Sequence, residues 1–146
     1  MDDALAPGIR ALAFFLADHA TAIGGKVYAN GAFWNRLSSP SFPSTHHFAV
    51  AAVLEVPWRP GRQQHAFTVH FDDADGASVG ARIDGQFQVD ANPTLPDGEP
   101  TTIPLTALMN NFVVAAPGTY VAVLEVDGEE LARWAFHAAA TQPDHL

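Results

Sequence analysis

Apolar and polar residues alternate without interruption from Ile83 to Ala91. One side of this stretch consists of small or apolar residues, and the other side consists of Asp84, Gln86, Gln88 and Asp90. A period of two is that of a β-strand with one buried face and one wet face. Because similar stretches recur from one end of the chain to the other, the sequence predicts an all-β fold.

The turn signals divide the chain into about eight strands, at residues 10–19, 26–37, 46–56, 65–72, 83–91, 101–114, 120–126 and 129–138. This spacing is typical of a single antiparallel β-sandwich with immunoglobulin-like or related topology. Between the last two strands, Asp127-Gly128 predicts a type I′ hairpin turn. The first segment is rich in alanine and also permits a short helix. Residues 1–9 are expected to be a flexible leader, residues 10–139 the sandwich, and residues 140–146 a frayed tail.

The 146 residues include 16 acidic and 7 basic side chains, which gives a net charge of −9. Such a surface repels phosphate backbones and anionic lipid headgroups, so we expect neither a nucleic-acid nor a membrane-surface partner. The sequence contains no cysteine, which excludes disulfides, a thiol nucleophile and a thiolate zinc site. Met1 is followed by two aspartates where a signal peptide would be basic, so we expect a cytoplasmic protein.

The sequence motifs predict no metal and no cofactor. If Asp73 and Asp75 held the third and fifth positions of an EF-hand loop, Phe71 and Arg82 would hold the first and twelfth, and neither supplies the required oxygen. No two histidines have the spacing that would present both imidazoles on one face, although a site assembled across strands stays open. We interpret residues 72–76 as a hairpin turn in which aspartates accept hydrogen bonds from the backbone.

The sequence also predicts no catalytic residue. The G-x-S-x-G motif is absent, and the serines of residues 38–44 are distant in sequence from any acid. The alternative hypothesis is a small hydrolase-like or metal-dependent enzyme that uses His65 with Asp73 or Asp75. It requires these side chains to converge beside a pocket.

The loop after the longest strand is the strongest candidate for binding. An aromatic residue, Trp58, lies between prolines and beside Arg59 and Arg62 in an otherwise acidic chain. We expect the loops 38–45, 57–64 and 93–100 to meet at one end of the sandwich, where they would present the candidate binding residues Phe42, Trp58, Arg59, Arg62 and His65. In the alternative interpretation, Trp58 folds back and closes the end of the sandwich.

Two predicted strands are apolar on both faces, at residues 11–17 and 49–53. A sandwich strand normally exposes one polar face to water, so a second layer is expected to cover the excess. A second copy of the chain could supply that layer. We therefore expect a non-catalytic binding or assembly module, acting through end loops and an apolar sheet face on a protein partner or in a homodimer.

Several short motifs occur in a recognisable order along the chain. They are Gly24-Gly25-Lys26-Val27-Tyr28, Trp34, Val56-Pro57-Trp58, His65, Asp73-Ala74-Asp75-Gly76, Pro117-Gly118-Thr119-Tyr120 and Val126-Asp127-Gly128-Glu129. Over residues 11–136 the sequence resembles a family of small bacterial proteins classed as a domain of unknown function. The resemblance implies a β-sandwich and a bacterial origin, and it implies no reaction, ligand or catalytic residue.

Overall fold

The computed structural model describes residues 8–90 and 98–141. Within these ranges the chain forms nine strands and no helix, which confirms the all-β prediction. The strands are β1 (Arg10–Ile23), β2 (Lys26–Ala32), β3 (Arg36–Ser39), β4 (Ser44–Val56), β5 (Gln63–Asp73), β6 (Ser78–Val89), β7 (Thr101–Val114), β8 (Gly118–Val126) and β9 (Glu129–Ala140). The expected leader over residues 1–7, the connection over residues 91–97 and the end of the tail over residues 142–146 lie outside the described residues.

The strands form two sheets that pack over one main core. The four-stranded sheet has the order β2-β1-β4-β7, and the five-stranded sheet has the order β3-β9-β8-β5-β6. The predicted sandwich is therefore confirmed. Its pairings are antiparallel except for that of β3 with β9, which is parallel from Arg36 opposite His137 to Ser39 opposite Ala140. The five-stranded sheet is thus mixed, where a purely antiparallel sandwich was expected.

The strand expected over residues 26–37 is in fact two strands, β2 and β3, in different sheets. Gly31 and Phe33 have positive φ values of 60° and 65°, which end the extended conformation of β2. Trp34 then enters the core edge-on to Phe48 at 5.4 Å between ring centroids. The chain thereby crosses to the other sheet, and this crossing accounts for nine strands where about eight were expected.

The first strand is a β-strand throughout, which excludes the helical alternative for this segment. It pairs with β4 from Arg10 to Ala17 and with β2 from Ala17 to Ile23. The loop expected over residues 38–45 is also shorter than predicted, because β3 includes Ser38 and Ser39 and β4 begins at Ser44.

Four buried phenylalanines join the sheets. Phe48 and Phe112 come from the four-stranded sheet, and Phe71 and Phe136 come from the five-stranded sheet. Every pair among them is in contact, with ring centroids from 4.8 to 6.5 Å apart. Beside this cluster the hydroxyl of Tyr120 donates a hydrogen bond of 2.6 Å to the carbonyl of Ala116, as the tyrosine corner of many β-sandwiches does.

Two turns adopt the conformations that the sequence predicted. Asp127 and Gly128 have φ values of 51° and 82°, as a type I′ turn requires. In the acidic turn after β5, the carboxylate of Asp73 accepts hydrogen bonds from the backbone N–H groups of Asp75 and Ala77 at 2.9 and 3.0 Å. This carboxylate therefore satisfies the backbone of the turn.

Strand β7 forms one edge of the four-stranded sheet. It contains a proline, Pro104, which lies opposite Val53 of β4. Proline lacks a backbone N–H donor and is therefore tolerated in sheets chiefly on edge strands. The position of Pro104 agrees with the position of β7 in the sheet.

The glycine in the middle of β6 makes room for an aromatic ring on β5. Gly85 lies directly opposite Phe67, and a Cβ atom at this position would lie 2.5 Å from the Phe67 ring. We therefore expect Gly85→Ala to destabilise the protein by about 1–3 kcal/mol, because the ring must leave its packed position. Urea unfolding would measure the change. The double variant Gly85→Ala, Phe67→Leu should lose much less than the sum of the two single changes, and strict additivity would contradict this account.

Candidate functional site

The candidate binding residues fall into two places. Trp58, Arg59 and Arg62 lie in the loop between β4 and β5, and His65 lies near the start of β5. Phe42 precedes β4 instead, and the 13 residues of that strand separate it from Trp58 by about 40 Å. The expectation that the three loops meet at one end is therefore wrong for the loop that contains Phe42. This side chain packs against the main core.

Trp58 and Arg59 line a cleft of about 290 Å³ at the end of the sandwich where β4 finishes. The opposite wall is formed by Gly98 and Pro100, which precede β7. Trp58 is half-buried and is not among the residues that pack against the main core. The cleft geometry therefore favours an accessible tryptophan over the alternative in which Trp58 closes the end of the sandwich.

Arg59 also borders a second cleft, of about 170 Å³, that contains His65, Asp127 and Glu129. Its neighbour Arg62 pairs with Asp90 at 3.3 Å. Within residues 8–90 and 98–141, Arg59 has no such ion pair. It is thus the exposed cation of this loop that is available for a ligand. We call the surface formed by Trp58, Arg59 and the two clefts the end surface.

The second cleft contains a histidine–aspartate pair. The ring Nδ1 of His65 lies 2.6 Å from Oδ2 of Asp127, and the other carboxylate oxygen accepts the N–H of Ala66 at 2.9 Å. The N–H of Asp127 in turn donates to the carbonyl of Ala66 at 2.8 Å. The His65 ring packs on Phe87 with centroids 5.2 Å apart. Both members of the pair are therefore fixed in place.

The environment of Asp127 favours its ionised form. Partial burial raises the pKa of this carboxyl, but the hydrogen bonds from His65 and from the N–H of Ala66 lower it more. The pKa of Asp127 in the folded protein is therefore below its ordinary value. A depressed carboxyl pKa stabilises the fold above the unfolded pKa, and this stabilisation is lost as the pH falls through the folded pKa.

We expect Asp127→Asn to reduce the loss of stability in acid. Asparagine tolerates the positive φ at this position, and its carbonyl oxygen still accepts the N–H of Ala66. Urea midpoints measured below about pH 4 should therefore fall less steeply with pH than those of the wild type. Asp75→Asn is the matched control, because the turn at the other end of β5 uses the backbone N–H of Asp75 and not its carboxylate. An acid dependence identical to that of the wild type in Asp127→Asn would contradict the assignment.

The pairing required by the enzyme alternative does not occur. His65 and Asp73 lie at opposite ends of β5, eight residues apart, which in a strand is about 26 Å. Asp75 lies beyond Asp73 in the turn, and the acidic partner of His65 is Asp127. Among the described residues there is no group of three or more histidine, aspartate or glutamate side chains that could hold a metal ion.

The outer face of the four-stranded sheet carries a second, smaller apolar cluster. Phe15, Ala17 and Ala51 are buried there, apart from the main core. Phe33 stacks on Phe15 with centroids 4.1 Å apart, and Val27 also packs against the cluster. Phe33 and Val27 thus cover part of the apolar surface of β1 and β4, the two strands from which a second copy of the chain was predicted.

The remaining exposed apolar side chains are concentrated on the same sheet. Within the described ranges, the large hydrophobic residues that are exposed are Leu12, Ile23, Tyr28, Phe33, Leu108 and Val113. All lie on β1, β2 or β7, or directly after β2. Leu108 and Val113 alternate with the buried Met109, Phe112 and Val114, so they point away from the core. We call Phe33, Leu108 and Val113, with the cluster between them, the outer apolar face.

The outer face of the five-stranded sheet is polar. Asp84 accepts a hydrogen bond from Thr68 at 2.8 Å and pairs with Arg82 at 2.9 Å. Glu130 pairs with Arg133 at 2.7 Å on the same sheet. These exposed pairs contribute little to stability. They make the outer surface of this sheet polar, whereas the four-stranded sheet has its ion pair, Arg10 with Glu55 at 2.8 Å, where β1 begins.

Sequence reasoning missed the partners of His65. Asp127 was interpreted only as a turn residue, and Gln63 only as the end of a loop. The pairing of Phe67 with Val126 places the Asp127 turn beside the start of β5. A prediction that β5 pairs with β8 would have placed Asp127 beside His65, because the hairpin that contains Asp127 was itself predicted.

Taken together, the described residues form a β-sandwich with an end surface and an outer apolar face. The chain belongs to DUF6941, a family of unknown function, whose model matches residues 12–139. This membership confirms the resemblance to a domain of unknown function. No curated protein matches the sequence. Across the described ranges, no helix has the length and hydrophobicity needed to cross a membrane.

Solved structures match the chain at low sequence identity. The alkylpurine DNA glycosylase AlkC of Pseudomonas fluorescens, bound to DNA containing an abasic site analog, matches with 13% identity and a TM-score of 0.51. The match covers 92% of this chain and 31% of AlkC. A β-glucosidase from Listeria innocua matches with 11% identity and a TM-score of 0.45, over 88% of this chain and 16% of the glucosidase. The likeness to AlkC shows the fold alone.

Proposed function

We propose that this chain is a non-catalytic assembly module whose copies pair through the outer apolar face of the four-stranded sheet. The observation that carries the proposal is the contrast between the two sheets. All the exposed large apolar side chains of the described residues belong to one sheet or its exit. That sheet has an ion pair where β1 begins, between Arg10 and Glu55, whereas the outer face of the other sheet carries the pairs of Arg82 with Asp84 and Arg133 with Glu130. An exposed apolar patch of this kind marks an interaction site in many soluble proteins.

Charge favours a second copy as the occupant. The chain has a net charge of −9, so two copies repel each other over most of their surfaces. The central positions of the outer apolar face are uncharged, from Phe15 and Ala51 to Leu108. Two copies can therefore approach here without like charges meeting. A positively charged partner would gain no electrostatic attraction from these uncharged positions.

The size of the sheet also permits a dimer. The four strands have 14, 7, 13 and 14 residues, so at about 3.3 Å per residue and about 4.8 Å between strands the whole outer surface of the sheet is about 760 Å². A stable dimer buries about 800 Å² on each partner. Self-association through this face is consistent with both the area and the charge.

Leu108→Asp should dissociate the proposed dimer, because each copy would bury an unpaired carboxylate in the interface. Leu108 is 62% exposed, so the change should leave the fold intact. A cost of about 2 kcal/mol corresponds to a rise of about thirtyfold in the dissociation constant, measured by sedimentation equilibrium. Gln86→Asp, on the polar face of the other sheet, is the matched control and should not alter association. A wild-type protein that sediments as a monomer at millimolar concentration would overturn the proposal.

A second binding surface is favoured by the position of Arg59 beside Trp58. We propose that the end surface binds an extended peptide segment of a protein partner, with Trp58 contributing apolar contact and Arg59 a cation. His65 lines the second cleft, and Arg62 lies in the same loop as Arg59, but they pair with Asp127 and Asp90. Their role in binding is therefore to support it. We also propose a cytoplasmic location, which agrees with the cysteine-free sequence.

Selection from a random peptide library displayed on phage would test the end surface. We expect peptides that bind the wild type and lose at least about tenfold in affinity for the Trp58→Ala and Arg59→Ala variants. Arg36→Ala, at the opposite end of the sandwich, is the control for loss of a surface arginine. Equal binding to all variants, or no enrichment on the wild type, would remove the end surface from the proposal.

A further inference from the structure

A chain of three hydrogen bonds connects the β8–β9 turn to the loop between β4 and β5. The Nδ1 atom of His65 lies 2.6 Å from the carboxylate of Asp127. Its Nε2 atom lies 3.2 Å from the amide oxygen of Gln63. The amide nitrogen of Gln63 then donates to the carbonyl oxygen of Pro57 at 3.4 Å. Pro57 is followed directly by Trp58 and Arg59 of the end surface.

The direction of these bonds defines the protonation state that satisfies them. Because the nitrogen of the Gln63 amide faces the Pro57 carbonyl, its oxygen faces His65. Both ring nitrogens of His65 therefore face acceptors. Only the imidazolium form carries a proton on each nitrogen. If the Gln63 amide were rotated by half a turn, the conflict would move to Pro57, where two oxygens would then face each other.

The groups around His65 limit how the mismatch between a neutral His65 ring and the acceptors that face both its nitrogens can be relieved. The side chain of His65 is 14% exposed, so most of the ring is covered by protein. The charged groups that share its cleft are Asp127 on the turn, Glu129 on β9 and Arg59 on the loop. Phe87 of β6 packs against the ring. Asp127, held by the Ala66 N–H, keeps the proton on Nδ1, so deprotonation is expected at Nε2, the nitrogen that faces Gln63.

We propose that protonated His65 is a clasp that holds the loop 57–62 to the β8–β9 turn, and that loss of its proton releases the loop. In the neutral ring, Nε2 no longer donates to Gln63. Gln63 then loses its fixed orientation, and Pro57 loses its hydrogen bond. The order of the end surface therefore depends on whether Nε2 of His65 carries a proton. The clasp lies apart from the outer apolar face and does not depend on self-association.

Nuclear magnetic resonance between about pH 5 and pH 8 would test the clasp. The ring ¹⁵N signals of His65 report its protonation, and ¹⁵N relaxation reports the order of the loop. At low pH we expect both ring nitrogens to be protonated and the Trp58 and Arg59 amides to be ordered, with order parameters near about 0.85. At high pH these order parameters should fall below about 0.6, with the same midpoint as the His65 ring signals.

Single variants distinguish release of the loop by His65 from a general effect of pH on the protein. His65→Phe, which can still pack on Phe87, should leave the loop disordered throughout the pH range. Gln63→Leu should do the same while His65 and Asp127 stay in contact, so it tests the clasp even if His65→Phe unfolds.

The control is His70→Phe, another histidine of β5 that contacts carboxylates, Asp72 and Glu125. It should leave the loop transition unchanged. A loop equally ordered at both ends of the pH range, or a transition that persists in Gln63→Leu, would overturn the proposal. The Leu108→Asp variant should keep the transition, so failure of the proposed dimer and failure of the clasp are distinguishable.

Discussion

The contact among four phenylalanines is the interaction on which the sandwich depends. Phe48 and Phe112 on one sheet meet Phe71 and Phe136 on the other, and each ring touches the other three. Since apolar area removed from water is the main favourable term in folding, this cluster fixes the distance and alignment of the sheets. The crossing at Trp34, which packs on Phe48 and Phe136, is built on it. The end surface lies at the other end of β4, away from this anchor.

Local patterns in the sequence predict most of the strands and turns of this fold. They do not predict which distant strands lie side by side. The strand around Phe87 follows from alternation alone, and the Asp127-Gly128 turn follows from its need for positive φ. The contact of His65 with Asp127 joins residues 62 apart, so it depends on a pairing that no local pattern encodes. The parallel pairing of β3 with β9 escaped for the same reason. The separation of Phe42 from Trp58 could have been inferred, because an intervening long strand places its flanking loops at opposite ends.

The direction of the strands and the polarity of the faces divide the surface of this protein into independent regions. The outer apolar face lies on the side of the four-stranded sheet, and the end surface lies where β4 finishes. A substitution such as Leu108→Asp alters one region and leaves the hydrogen bonds of His65 untouched. The proposed association and the proposed release of the loop would therefore take place at separate regions. The sandwich provides the rigid frame that keeps the two apart.

The proline on the edge of the four-stranded sheet has a consequence for how chains can meet. An edge strand offers a row of unpaired N–H and C=O groups to which a foreign strand can add, which is the first step toward fibrils. Pro104 removes one donor from that row within β7, the 14-residue edge strand. A continuous ladder cannot form across this gap. The β7 edge, which borders the outer apolar face, therefore offers another chain no continuous backbone template.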